Sequence, residues 1–411
     1  MLRSLPPPPV TGRRSGRAAW LCLAAVGLLL GACAGPLNPS TPKPTAEAAA
    51  KPAEPPAPPP SRTTATGKLK VALLLPLSGR AREIGNSMLE AAELAIFDGA
   101  GRDIAILPID AGDTPDRAVA AVERAAKSGA VILLGPLFGP SAAAAALAAR
   151  EAKLEMVSFS NDENVAQPGL YPMGLGVQTQ VRRVSDYALA RGIRRFAAFA
   201  PATPYGEQAT QALRNAVTQR GGTIVAAERF GTGGNLSASA GRVAEAVNAD
   251  GDGRTAVLLP AAGSQLPAAT QALGVATAES KKPQVIGTGI WDTPGITAET
   301  GLGGAWFAAP DPARRAAFEQ KYEAVHGKAP HRLATLAYDA VIMAATLARA
   351  KPGGDFSAEA LTDPGGFMGL DGRFWLRTDG RVERALAVLE IGRDSVRVID
   401  PAPASLDRPS N

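Results

Sequence analysis

Seven residues bring hydroxyl, amide, carboxylate and aromatic chemistry to the ends of apolar runs: Ser141, Ser160, Asn161, Asp162, Tyr205, Trp291 and Asp292. Their types suit recognition of a polar ligand, with hydroxyls and backbone N–H groups to fix it and an aromatic ring to close over it. The first four belong to one stretch that reads strand, loop, helix, strand. Ala130 to Leu134 is an apolar run with the pattern of a strand buried on both faces, and it enters a tight loop made by Gly135, Pro136, Gly139 and Pro140. Ser141 to Arg150 is nearly pure alanine, the best helix former, and a second buried strand, Met156 to Phe159, ends in Ser158, Ser160, Asn161 and Asp162. Ligands of parallel α/β sheets sit outside the carboxyl ends of strands, so two such ends predict one wall of a cleft. Ser, Gly and Asn are also ordinary turn residues, and that reading stays open.

Other chemistries fit less well. The two histidines, His326 and His331, are five apart with Gly327 and Pro330 between them, so they do not share a helical face as paired zinc ligands do. Asn248, Asp250, Asp252 and Gly253 match the first half of a calcium loop, but Leu259 stands where the bidentate glutamate belongs, which leaves a solvated turn. No GxxxxGK[ST] segment and no complete dinucleotide fingerprint occurs. The expectation is a protein that is not an enzyme and needs no cofactor or metal.

The amino end sets the location. Arg3, Arg13, Arg14 and Arg17 precede the apolar run Ala18 to Leu30, and no acidic residue occurs before Cys33, the pattern of a secretory signal. Leu30-Gly31-Ala32-Cys33 resembles the bacterial lipoprotein cleavage box, which predicts lipidation of Cys33, and Ala34 in place of an aspartate favours the periplasmic side of the outer membrane. Within the signal and cleavage-box segment 1–33, the other cysteine, Cys22, leaves with the signal while Cys33 carries the lipid, so disulfides and thiol catalysis are excluded. Removing the four arginines lowers the net charge from +5 to +1, which argues against a nucleic-acid partner. Residues 34–67 hold ten prolines and almost no large apolar side chain, and are predicted to be a disordered tether.

From Lys68 the apolar pattern alternates strand and helix. Val71 to Leu75 and Ile104 to Ile109 read as strands, with helices over Gly85 to Phe97 and from Thr114 to Gly129. The pattern restarts after Gly174-Leu175-Gly176, with strands at Phe196 to Ala200, Thr223 to Ala227, Ala256 to Leu259, Val285 to Gly287 and Ala305 to Ala308. Helices alternate with them, and Pro312 to Val325 and Leu333 to Ala350 add two more. Arg373 to Leu376, Val382 to Ile391 and Val396 to Ile399 read as strands, followed by a flexible tail over 401–411.

Across Lys68 to Asp400 the chain resembles the type I periplasmic-binding-protein fold, and more narrowly the penicillin-binding-protein activator lipoproteins. The motifs that carry this are Leu75-Pro76-Leu77-Ser78-Gly79, Gly135-Pro136-Leu137, Ser158-Phe159-Ser160-Asn161-Asp162, Tyr205-Gly206, Gly287 to Asp292, Ala337-Tyr338-Asp339-Ala340 and Gly366 to Gly372. The resemblance implies an α/β fold of two doubly wound, Rossmann-like lobes joined by three crossovers, placed near residues 178, 308 and 353. Lobe 1 is then 68–177 plus 309–352 and lobe 2 is 178–308 plus 353–400. It also implies a partner, a peptidoglycan synthase of the penicillin-binding-protein class, with membrane contact through the lipid alone. The alternative is the solute-binding lipoprotein of an importer for branched-chain-like amino acids. Tyr205 is expected to close over a ligand in the cleft, Trp291 and Asp292 to face it, and Tyr338 and Asp339 to be structural at the lobe junction. Amino-acid-binding relatives hold the ligand carboxylate with amides and hydroxyls of lobe 1 and its ammonium with an acid of lobe 2. Here Pro140, Asp162 and Gly289 fall near those places, so a free amino acid is not expected to be the ligand.

Overall fold

A computed structural model describes residues 59–231, 235–249, 254–278 and 282–405. The expectations for the signal, Cys33, most of the tether, the end of the tail, and Asp250, Asp252 and Gly253 concern positions outside them.

The first lobe is a five-stranded parallel sheet in the order β2-β1-β3-β4-β5. Its elements are β1 (Leu69–Leu75), α1 (Arg82–Phe97), β2 (Ile104–Asp110), α2 (Pro115–Lys127), β3 (Ile132–Leu134), α3 (Gly139–Glu151), β4 (Met156–Ser158) and β5 (Leu170–Pro172). The central strands β1, β3 and β4 are apolar and almost wholly buried, as a sheet covered on both faces requires, while β2, which contains Pro108, lies at an edge where no second ladder needs its N–H.

The chain then builds α4 (Val177–Ala190), β6 (Arg195–Pro201), α5 (Pro204–Thr218), β7 (Thr223–Phe230), α6 (Leu236–Asn248), β8 (Thr255–Leu258), α7 (Gln265–Ala276), β9 (Gln284–Gly287) and β10 (Trp306–Ala309). It returns to the first lobe through α8 (Pro312–His326), α9 (Ala334–Arg349), α10 (Ala358–Leu361) and a small antiparallel sheet of β11 (Phe367–Gly369), β12 (Gly372–Leu376) and β13 (Val382–Arg384). Finally β14 (Ala387–Ile391) and β15 (Val396–Asp400) complete a seven-stranded second sheet, β15-β14-β10-β9-β8-β6-β7, in which β14 and β15 run antiparallel to their neighbours. Two doubly wound α/β lobes with three crossovers result.

Two boundaries differ from the sequence reading. Residues 353–384 were expected in lobe 2. Phe356, Leu361, Phe367, Phe374 and Leu376 instead share one core with Val71, Leu73, Val157 and the α9 residues Leu336 and Val341, so the third crossover is at Ala385-Leu386. The run Val382 to Ile391 is thus two strands in two sheets, the second pairing with β10. The tether also ends earlier than 67. The Lys70 amide donates to Arg62 O at 3.0 Å, Thr64 N to Lys68 O at 2.9 Å, and the Lys70 ammonium to Ser61 O at 2.8 Å, so residues 61–67 fold back on β1 as a small hairpin. At its other end, the Pro401 carbonyl accepts from Arg183 at 3.1 Å, so the tail leaves the body from a fixed point.

Candidate functional site: the inter-lobe cleft

One wall is built where β3 and β4 end. Gly135 turns the chain at φ +109°, a conformation other residues rarely adopt, and a Cβ there would strike the Leu74 carbonyl. The turn delivers α3, whose first residue Gly139 lies so close to the second loop that a Cβ would sit 3.1 Å from Asp162 Oδ2 and 3.2 Å from Ser160 Oγ. Asp162 is thereby packed against the amino end of α3. Its Oδ1 also accepts from the Asn164 backbone at 3.1 Å and the Asn164 amide at 2.9 Å, capping the short turn Glu163–Val165, and Ser160 Oγ accepts from Asp162 N at 3.0 Å. Asn161 is exposed. Ser141 and Ser158 are buried, and neither hydroxyl has a partner among the described residues. Of the predicted cleft residues in lobe 1, the structure brings Ser160, Asp162 and the first turn of α3, which holds Ser141, together.

The facing wall comes from α5 and the end of β9. Pro204 opens α5 with Thr203 as its cap, which sets Tyr205 in the first turn. Tyr205 is half-buried, and its hydroxyl pairs with Thr288 Oγ1 at 2.8 Å. Burial pushes the phenol up to about 12, so it is neutral at physiological pH. Next to Thr288, the Gly289 amide donates to Gln180 Oε1 at 2.6 Å, and a Cβ on Gly289 would lie 3.2 Å from that oxygen and 3.3 Å from Ala308 O. A side chain at 289 would press on both of these oxygens, and the glycine itself supplies no acid there. Glu163 of lobe 1 reaches across to the start of α4, accepting from Gln178 N at 2.8 Å and Thr179 Oγ1 at 3.0 Å. Burial raises its pKa despite these donors.

Trp291 corrects an expectation. It is fully buried in lobe 2, its indole N–H donates to Ala261 O at 2.9 Å, its ring meets Phe307 edge-on, and Gly287 leaves room for it. An apolar ring of this size with its one donor satisfied gains most from the core.

Asp292 is not a free cleft acid either. Its two oxygens accept from Arg315 at 2.5 Å and Arg332 at 2.9 Å, in a pair whose side chains are 10 to 19 % exposed. Arg315 is on α8 and Arg332 precedes α9, so Asp292, in the loop after β9, ties lobe 2 to lobe 1. The network continues inward. Arg332 donates to both oxygens of Asp371 at 2.9 and 3.3 Å, Thr335 Oγ1 donates to Asp371 at 2.6 Å, and Arg384 lies 3.7 Å from Asp339. Asp339 also accepts from the amides of Leu370 at 2.6 Å and Asp371 at 3.3 Å. Asp339 is therefore structural at the junction, and Tyr338 pairs through its hydroxyl with Asp98 at 3.0 Å. The sequence reading missed Arg315, Arg332, Asp371 and Arg384. Its only signal was that Asp339 and Asp371 lie inside two of the quoted motifs.

The two buried carboxyls titrate in opposite directions. Burial, then the charge of Asp371, pushes Asp339 up. Burial penalises ionised Asp371 too, but Arg332 and Arg384 hold it below the usual range. A carboxyl raised on folding stabilises the fold while protonated, so the Asp339 contribution is present below the ordinary Asp range and is lost as pH rises through its raised value. The Asp371 contribution is lost only on acidification below that range. The urea midpoint is therefore expected to fall from about pH 5 to about pH 8, and Asp339→Asn to flatten that slope. An unchanged slope in the variant would assign the titration to another group.

The His326 ring lies against that of Tyr322 at a tilt of 46°, and His331 Nδ1 accepts from Leu333 N at 3.2 Å, so the two rings serve different local contacts. Among the described residues no cluster of His, Cys, Asp or Glu could hold a metal, and no helix is long and apolar enough to cross a membrane.

Three solved structures are similar to the chain over most of its length. An ABC-type branched-chain amino acid transporter from Rhodopseudomonas palustris is 16% identical with a TM-score of 0.68, over 82% of this chain and 100% of that one. An ABC transporter substrate-binding protein from Sphaerobacter thermophilus is 19% identical with a TM-score of 0.65, over 81% and 97%. The branched-chain amino acid transporter substrate-binding protein LivJ from Streptococcus pneumoniae, in complex with isoleucine, is 17% identical with a TM-score of 0.57, over 81% and 100%. No curated protein matches. The family model described as periplasmic binding protein matches residues 68–395, and with the two lobes and three crossovers above, the chain belongs to that family and has its type I fold.

Proposed function

We propose that this chain is a non-catalytic binding protein of the bacterial envelope, lipidated at Cys33 and held off the membrane by its proline-rich tether. The observation that carries the reading is the cleft between two doubly wound lobes, walled by strand ends that present hydroxyls and backbone amides. Two uses fit this architecture. Capture of a small solute for an importer is supported by the solved neighbours, which are described as branched-chain amino acid transport proteins. Docking on a penicillin-binding protein to stimulate peptidoglycan synthesis is supported by the motif resemblance and by the cleft chemistry, in which Asp162 takes the anion side and Gly289 the acid side.

Glycan polymerisation by a bifunctional penicillin-binding protein from the same cell, with and without the purified domain, separates the two. Faster polymerisation supports the activator. No change with any such synthase, together with saturable solute binding, supports the importer component. Palmitate labelling of the wild type and of Cys33→Ala checks the anchor, which is abandoned if the variant still labels.

A further inference from the structure

Lobe 2 holds a cavity of about 490 Å³ between α7 and the sheet, at the amino ends of β8, β9 and β10. The cleft lies at the opposite ends of these strands, roughly 13 Å away for four residues at about 3.3 Å each. Such a volume is in the range of small-molecule sites, and its walls include the apolar Leu273 and Val285. Three polar features converge on it. Arg254 and Lys282 line it with exposed side chains, and among the described residues neither has a hydrogen-bond or ion-pair partner. Thr255 also lines it, is only 3 % exposed, and has a buried hydroxyl without a partner among the described residues. A buried hydroxyl left unpaired is destabilising, and a bound polar group would relieve that cost. Gly274, on α7, also lines it at an exposed position, where a Cβ would meet nothing within 4 Å.

We propose that this cavity is a second ligand site, distinct from the cleft, for a small organic anion: a carboxylate or phosphate group at Arg254, Lys282 and Thr255 with a short apolar body along Leu273 and Val285. The two cations supply charge-assisted donors at the mouth, and the apolar walls give specificity against inorganic anions. The site does not depend on what the cleft binds or on whether the protein docks on a synthase.

The test is calorimetric titration of the purified mature protein with hexanoate, hexyl phosphate and hexanol. Both anions are expected to bind at least about tenfold more tightly than hexanol, and the stronger of the two assigns carboxylate or phosphate as the preferred group. Arg254→Ala and Lys282→Ala are each expected to weaken the anions by about tenfold and leave hexanol unchanged. Gly274→Leu, which sets a bulky side chain at the mouth, is expected to weaken all three, while Gly274→Ala leaves them unchanged. Both substitutions sit at an exposed helical position where losing glycine favours the helix, so an unchanged melting temperature shows that the fold is intact. Anions that bind no better than hexanol, or anion binding unchanged by both Arg254→Ala and Lys282→Ala, would overturn the proposal.

Discussion

Asp371→Asn is expected to lower the free energy of unfolding by about 3–5 kcal/mol, the usual cost of removing one partner from a buried ion pair. The Asp371 side chain is 0 % exposed and accepts two hydrogen bonds from Arg332 and one from Thr335, while Arg384 donates to the Asp371 backbone carbonyl at 3.2 Å. The neutral amide would leave Arg332 with Asp292 as its one carboxylate partner among the described residues, and it would remove the charge that pushes Asp339 up, so Arg384 keeps Asp339 and the loss falls on Arg332. Asp379→Asn is the matched control. Its salt bridge to Arg381 is 2.7 Å long, but the side chains are 48 and 68 % exposed, so the expected loss is about 0–1 kcal/mol. Urea unfolding of both variants at constant m-value reads the difference. Equal small losses would mean that the junction network carries no stability. The same network predicts that Asp292→Asn loosens the lobes against each other, because Asp292 is the member contributed by lobe 2.

Much of the fold was readable because its strands are short, apolar and buried, and its helices carry explicit start signals. Pro115, Pro204 and Pro312 each open a helix as the spacing implied, preceded by Thr114, Thr203 and Asp311. The misplaced crossover shows the limit of such reading. Val382 to Ile391 contains no glycine or proline, so nothing in the sequence marks that the chain leaves one sheet at Arg384 and enters another at Ala387. Only packing, with Phe367 and Phe374 in the first core and Val388 in the second, decides it. The strand Leu170–Pro172 was missed for a related reason, since three residues are too few to show alternation.

The site was legible in part. Strand ends announce themselves by small polar residues after apolar runs, which is how Ser160 and Asp162 were singled out, whereas Tyr205 was singled out by the Tyr205-Gly206 motif in the first turn of a helix. What those residues do depends on partners far away in sequence: Thr288 for Tyr205, Arg315 and Arg332 for Asp292, Ala261 for Trp291. Ion pairs that link residues 292, 315, 332 and 371, with the pair 339 and 384 beside them, have no local spacing to read. A tryptophan after a strand is equally compatible with a binding platform and a core plug until the carbonyl that satisfies its N–H is located.

None of the twenty free amino acids at millimolar concentration is expected to raise the melting temperature of the purified domain. A zwitterion needs donors for its carboxylate and an acid for its ammonium. On the lobe 1 side Pro140 offers no N–H, and the Asp162 carboxylate already lies against the first residue of α3, where it would repel a ligand carboxylate and competes for the same positive helix end. On the lobe 2 side the Gly289 amide is spent on Gln180, glycine supplies no acid at that position, and Asp292, three residues on, is neutralised by two arginines. Losing two charge-assisted contacts worth about 1.5–3 kcal/mol each weakens binding by about a hundredfold or more. A micromolar binder at millimolar concentration would stabilise the domain by about 4 kcal/mol, a shift too large to miss in a thermal scan. Such a shift with leucine, isoleucine or valine would restore the importer reading, and it would require Asp162 or the Asp292 pairs to rearrange on binding. A titration of Asp162→Thr with the same amino acids then isolates the cause: if repulsion at the α3 end is what excludes them, the variant gains affinity for amino acids that the wild type does not bind.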